Sequence, residues 1–171
     1  MGLQARFLAE LERLQLGEGR VLLAVSGGVD SMVLLELLAR TRHRHGLLPV
    51  VAHVDHGIHP DSARPAALVA RRAAALDLPF ITTALGLGSA ASETTARRAR
   101  HAWLRSEQES QGARWLLTAH QADDQRETVL MRVLRGTGPA GLAGMSRRGR
   151  RIARPLLGFS RESIVSYAHA E

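Results

Sequence analysis

Leu3, Phe7, Leu11 and Leu14 recur at helical spacing, the stripe of an amphipathic helix whose pattern breaks at Gly17 and Gly19. Its apolar face is expected to pack on a sheet. From Val21 to Val25 the run is uninterruptedly apolar and stops at Ser26, Gly27 and Gly28, which reads as a parallel strand buried on both faces. Asp30 to Arg40 follows as a helix that is apolar almost all round. The alternation then repeats. Leu47 to Val54 is a strand, Ser62 to Leu76 an alanine-rich helix, Phe80 to Ala84 a short strand, Ser92 to Gln111 a long basic helix and Trp115 to Ala119 a fourth strand. Asp123 to Arg135 predicts a helix with Val129, Leu130, Val133 and Leu134 turned inward. A glycine-rich loop spans Gly136 to Gly144, Arg151 to Arg154 reads as a last strand, and Ser160 to Ala170 as a helix.

Strands alternating with helices in this way predict right-handed crossovers and an α/β fold, a Rossmann-like open parallel sheet with helices on both faces. In such a sheet ligands bind outside the carboxyl ends of the strands. A chain of 171 residues suits a single domain over 1–171. It stops at Glu171 without a cap or a glycine stop signal, so a piece of something longer is an open reading.

Composition narrows the chemistry. There is no cysteine, which removes disulfides, thiolate metal sites and thiol nucleophiles. Lysine is absent too: all 23 basic residues are arginine, which excludes a Schiff-base lysine and the lysine of a Walker A loop. A net charge of +7 and a pI near 11.4 point to a polyanionic partner, against the alternative that the arginines only keep the surface soluble. No stretch of roughly 18 apolar residues occurs, and Glu10, Glu12 and Arg13 interrupt the first helix. No membrane partner is expected, and a cytoplasmic location is.

The most informative residues are Ser26, Gly27, Gly28, Val29, Asp30 and Ser31, in the turn between a buried strand and a buried helix. Paired glycines let the backbone approach a ligand, and the free amides at the helix start favour an anion. Ser26 and Ser31 are placed to add hydroxyl donors to phosphate oxygens. Neither a Walker A lysine nor the third glycine of a dinucleotide fingerprint is present. Asp30 beside a phosphate site is unfavourable without a cation between them, which assigns it to magnesium. The competing reading is a tight turn with a helix-capping aspartate.

The segment SGGVDS after VLLAV resembles the PP-loop of the ATP pyrophosphatases, which cleave ATP between its α and β phosphates and adenylate their substrates. Later segments resemble the tRNA(Ile)-lysidine synthetase family within that superfamily: HVDHGIHPDS from His53, SETTARRARHAWL from Ser92, LLTAHQADDQRET from Leu116, RGTGPAGLAGM from Arg135 and RPLL from Arg154. The similarity covers nearly the whole chain. It implies an adenine nucleotide alpha-hydrolase-like fold of PP-loop type, without the C-terminal tRNA-binding domains of the family. The implied activity is that of a carbon–nitrogen ligase attaching free lysine to the wobble cytidine of an isoleucine tRNA with a CAU anticodon. ATP is the cosubstrate, Mg2+ the cofactor, and the intermediate is an adenylated base. The oligomeric state is left open, a homodimer included.

Several residues then take candidate roles. His53, Asp55 and His56 are expected just past the second strand, where they either contact adenine or substrate or are hydrogen-bonded loop residues. His120, Asp123 and Asp124 sit where the fourth strand meets a helix and should converge on the PP-loop. Asp124 would complete a magnesium site with Asp30, His120 would hydrogen-bond a phosphate or the reacting base, and an aspartate here, Asp123 more than Asp124, could instead cap the helix. Arg97 and Arg100 match the family's A-R-x-x-R pattern on one helical face and would neutralise a phosphate as catalytic residues. Arg98 and Arg105 read as solvated surface charge with RNA contact as the alternative. The Gly-rich loop is either a connection or functional, with Arg135 at its root facing tRNA or ATP. Where relatives carry an aromatic and a second histidine, this chain has His101 and Gln121, which weakens a stacking role and a paired-histidine role. A tRNA thiolase or a glutamine-dependent amidating enzyme is disfavoured by the missing cysteine and ammonia source. A nonenzymatic nucleotide- or RNA-binding module remains the rival from another class.

Overall fold

A computed structural model describes residues 2–55, 63–88, 92–136 and 143–170. Among the described residues twelve elements run in the order α1 (Leu3–Leu14), β1 (Gly19–Ala24), α2 (Val29–Arg40), α3 (Arg42–His45), β2 (Leu47–Asp55), α4 (Ala63–Ala75), β3 (Phe80–Ala84), α5 (Glu93–Ser110), β4 (Trp115–Leu117), α6 (Ala122–Leu134), β5 (Ile152–Ala153) and α7 (Arg161–Ala170). The five strands form one parallel sheet in the order β3-β2-β1-β4-β5. The α/β, open-sheet expectation therefore holds. Among the described residues no helix is long and apolar enough to cross a membrane.

The continuous apolar runs explain the centre of the sheet. Leu22 and Leu23 of β1 are fully buried because successive side chains point to opposite faces and both faces are covered. On one face Phe7, Leu11 and Leu14 of α1, Leu34 and Leu38 of α2, Val69 and Ala73 of α4 and Ile164 of α7 pack with Leu23 and Val51. On the other, Leu104 and Trp103 of α5 close over Leu22, Val50, Ala52 and Leu116. The chain leaves β1 for β2 on one side and later returns to place β4 on the other. The carboxyl ends of β1 and β4 thus flank the crevice where an open parallel sheet receives ligands.

Two expectations need correction. α6 buries none of its residues; Leu130, Val133 and Leu134 are 58%, 52% and 73% exposed, so the inward placement of this face is wrong. The remainder of α6 is held by polar contacts instead, with Gln125 bonded to both the amide and the carbonyl of Met145, and Arg132 donating to the Gly144 carbonyl. β2 runs on to Asp55, so His53 and Asp55 lie within the strand rather than past it, because β3 pairs with it as far as Asp55 opposite Ala84. The short α3 was not expected from the sequence. His56, and Gly138, Pro139 and Gly141 of the glycine-rich loop, lie outside the described residues.

Candidate active site

β1 delivers the chain into the turn Ser26–Gly28, and α2 starts at Val29. Gly27 takes φ +90°, a left-handed conformation that side chains rarely adopt, and a Cβ there would sit 3.0 Å from the Cβ of Pro65. Gly28 is the N-cap of α2 and offers no side-chain bond. The first-turn amides of Val29, Asp30 and Ser31 therefore have no intrahelical partners, at the positive end of the helix.

The two serines are unequal. Ser31 Oγ donates to the Gly28 carbonyl at 2.8 Å and accepts from the Ser26 amide at 3.2 Å. With its only hydrogen committed, the 3.2 Å contact between the two hydroxyls has Ser26 Oγ as donor. Ser31 thus braces the loop from inside rather than offering its hydrogen to a phosphate. That role falls to the free backbone amides, and Ser26 Oγ joins them only by turning its hydrogen away from Ser31.

All of the loop residues except Gly27 line one cavity of about 760 Å³, an ordinary size for a small-molecule site. Its far wall comes from the end of β4 and from α5 and α6: Arg100, His101, Thr118, His120 and Asp124. Of the three side chains expected to converge on the PP-loop, His120 and Asp124 line its cavity and Asp123 does not. Local chemistry sets both. Thr118 Oγ1 and His120 Nδ1 lie 2.9 Å apart, and Asp124 accepts from the Gln121 amide at 2.7 Å while Gln121 Oε1 accepts from the Asp123 amide at 2.7 Å. The helix start is thereby closed by Gln121 and Asp124. The capping that was the alternative for these aspartates is done by Asp124 and not by Asp123, which pairs with Arg126 at the surface.

His53 is 3% exposed, lines the cavity and has Nδ1 2.8 Å from the Val25 carbonyl. A carbonyl only accepts, so Nδ1 carries the hydrogen. Arg97 does not line the cavity, whereas Arg100, one turn on along the same face of α5, does.

The electrostatics follow from crowding. Burial raises the pKa of Asp30, Arg161 opposes the rise, and the carboxylates of Asp124 and Asp123 reinforce it. These acids share a field that a cation would relieve. Among the described residues no group of three or more His, Cys, Asp or Glu side chains is placed to hold a metal ion. Two carboxylates lining one cavity, Asp30 from the loop and Asp124 from the far wall, suit magnesium, which takes one or two protein carboxylates and completes its shell with phosphate and water. Burial lowers the pKa of His120, and Arg154 is the leading charge that lowers it further, partly offset by Asp124. His101 is lowered by burial and then by Arg100, Arg97, Arg105 and Arg154.

Arg161, which the sequence reading left without a role, opens α7, lines the cavity and bears on Asp30. Its only signal was position, in the first turn of the helix that follows the last strand of a parallel sheet.

The chain matches the PP-loop domain family over residues 3–171. It is 45% identical to a tRNA(Ile)-lysidine synthase of Xanthomonas axonopodis pv. citri, over 89% of this chain and 36% of that protein. Identity is 43% to the tRNA(Ile)-lysidine synthase of Rhodopseudomonas palustris, over 85% of this chain and 44% of that one. The chain thus spans less than half the length of these relatives. Among solved structures, a U34-tRNA thiolase of Methanococcus maripaludis superposes with TM-score 0.78 at 14% identity, covering 96% of this chain and 63% of that one. An NH3-dependent NAD synthetase of Campylobacter jejuni gives 0.62 at 15%, covering 99% and 73%. At those identities the likeness is one of fold. Since the sequence match runs from residue 3 to residue 171, through the loop, both cavity walls and the last helix, the chain belongs to the PP-loop domain family.

Proposed function

We propose that this chain is the catalytic domain, over residues 1–171, of a cytoplasmic ligase that uses ATP to attach lysine to the wobble cytidine of an isoleucine tRNA with a CAU anticodon. The observation that carries the reading is that the PP-loop, His120, Asp124 and Arg100 face one cavity. The identity to tRNA(Ile)-lysidine synthases supports the choice of substrate.

The carbonyl oxygen of the cytidine attacks the α phosphorus of ATP, the bond between the α phosphorus and the bridging oxygen breaks, and pyrophosphate leaves. The amides of the PP-loop hold the departing phosphates, and Arg100, which lines the cavity, offsets charge developing on the α phosphate. Asp30 and Asp124 would hold Mg2+, which supplies charge neutralisation between the phosphates and these carboxylates. In the second step the amine of lysine attacks the activated ring carbon, AMP leaves with the oxygen, and the amine gives up a proton. His53 Nε2 keeps a lone pair when Nδ1 carries the hydrogen, which suits the amino group of adenine or substrate. His120, held toward the neutral form, is an acceptor for the reacting base. The cysteine-free sequence argues against a thiolase.

The test is pyrophosphate release from ATP and magnesium with lysine present, comparing isoleucine tRNA bearing CAU with methionine tRNA of the same anticodon. Turnover with the isoleucine tRNA alone, abolished by Asp30→Ala, is expected. Equal turnover with both would refute the substrate. ATP binding without turnover on either would favour a nucleotide- or RNA-binding module.

A further inference from the structure

Three guanidinium groups meet beside the cavity. Arg97 and Arg100 stand on one face of α5, and Arg154 follows β5 directly. Arg154 is fixed in place: its amide donates to the Arg147 carbonyl at 2.8 Å and its Nη1 to the Ser146 carbonyl at 2.7 Å. Its Nε is buried with no hydrogen-bond partner among the described residues. Several other arginines are balanced by acids, as Arg72 and Arg40 are by Glu36, Arg147 by Glu10 and Arg151 by Glu109. Among the described residues none of these three forms an ion pair.

Like charges gathered without acids, one with a buried unsatisfied donor, are unfavourable unless an anion shares the corner. The titration of the group agrees: burial, then Arg97, lowers the pKa of both Arg100 and Arg154. Only Arg100 of the three lines the cavity that the PP-loop faces. The free amides of the loop and Arg161 stand on the cavity itself, whereas Arg97 and Arg154 do not line it. The anion of the outer corner therefore belongs to the second substrate, whose base enters the cavity while its backbone stays outside.

We propose that Arg154, with Arg97, binds a backbone phosphodiester of the RNA substrate and so positions the base that enters the cavity. The proposal rests on the RNA-modifying reading above. The shared chemistry is phosphate, and the alternative source is the triphosphate of ATP.

The experiment measures binding of the whole chain to a labelled anticodon stem–loop carrying CAU, between about 50 and 200 mM salt, with Mg2+–ATP affinity measured in parallel. Arg154→Gln is expected to weaken RNA binding about tenfold and to reduce the slope of log K against log salt by about 0.7, the share of one single-strand phosphate contact. ATP affinity should stay within about twofold. Arg97→Gln, an exposed change on α5, should lose a similar slope even if Arg154→Gln folds poorly by its urea midpoint. Arg154→Lys should retain the slope, and Arg13→Gln, on the distant α1, should retain both slope and affinity. An unchanged slope in Arg154→Gln and Arg97→Gln, or no RNA binding by the unaltered chain, overturns the proposal. A tenfold loss for ATP with RNA unmoved assigns the corner to the triphosphate and overturns it too. An equal loss in Arg13→Gln reduces it to net charge. Slope loss without isoleucine-specific turnover leaves the corner standing and sinks the lysidine reading; specific turnover with an unchanged slope does the reverse.

Discussion

Gly27 and Gly28 adjoin in the loop, yet their lack of a side chain answers different demands. At Gly27 the demand is internal, since φ is +90° and a Cβ would press on Pro65. At Gly28 φ is −73° and ψ 158°, a backbone any residue adopts; an added Cβ meets only Ser26 Oγ, at an ordinary 3.5 Å. Its demand comes from the cavity it lines. Gly27→Ala should therefore cost about 1–2 kcal/mol of stability. Gly28→Ala should cost at most about 1 kcal/mol, the penalty of alanine at an N-cap, while still weakening ATP binding tenfold or more. Urea unfolding and calorimetric titration separate the two. Wild-type ATP affinity in Gly28→Ala would mean that no ligand approaches the backbone there. The paired glycines were legible as an anion cradle because a buried strand and helix flank them. The inward turn of the Ser31 hydroxyl was not, since residue spacing carries no information about which way a hydroxyl rotates.

At the scale of elements, the buried carboxylate of Glu36 ties α2 to α4. Burial alone would raise its pKa, but hydrogen bonds from Arg40 and Arg72 outweigh that and leave it lowered. Arg72 donates to Glu36 Oε2 from Nε at 2.9 Å and from Nη2 at 2.6 Å. Arg72→Ala is expected to cost roughly 2 kcal/mol at neutral pH. A lowered carboxyl stabilises the fold above its unfolded pKa and loses that contribution as pH falls through the lowered value, so the gap between variant and parent should narrow in acid. Denaturant midpoints at several pH values check both. α6 provides the opposite case. Leu130 and Leu134 bury little within the described chain, so their replacement by glutamate should move the midpoint by less than about 0.5 kcal/mol. Periodicity reveals that α6 has an apolar stripe but not what the stripe faces. The same limit hid α3: four residues carry no period, and its anchors are His45 contacts to the Leu38 carbonyl and the Leu47 amide.

For the whole molecule, the apolar runs of β1 and β2 and the helices between them were enough to imply a parallel sheet and a ligand edge. The strand order and the approach of Arg154 to His120 were not, because pairing across β4 and β5 depends on contacts far apart in sequence. That approach has a consequence for acid stability. The pKa values of His45, His101 and His120 are all lowered in the fold, in each case first by burial. Like charges add to this: His43 beside His45, the arginines around the other two. In the unfolded chain these groups take up protons near pH 6.5. Between that value and the lowered folded ones the unfolded state binds more protons, so stability rises with pH and falls on acidification. Asp30 has the opposite sign. Its raised pKa makes its ionisation unfavourable in the fold, so stability falls as pH rises from 3.8 through the raised value. The histidines therefore govern the descent just below neutrality. Denaturant midpoints should decrease steadily from about pH 8 to about pH 5, and His120→Gln should flatten part of that slope. Inorganic phosphate, screening the guanidinium corner, should flatten it as well in the parent but less in Arg154→Gln. A profile level from pH 8 to pH 5 would mean that these rings accept protons as readily folded as unfolded, which neither their burial nor the arginines around them allow.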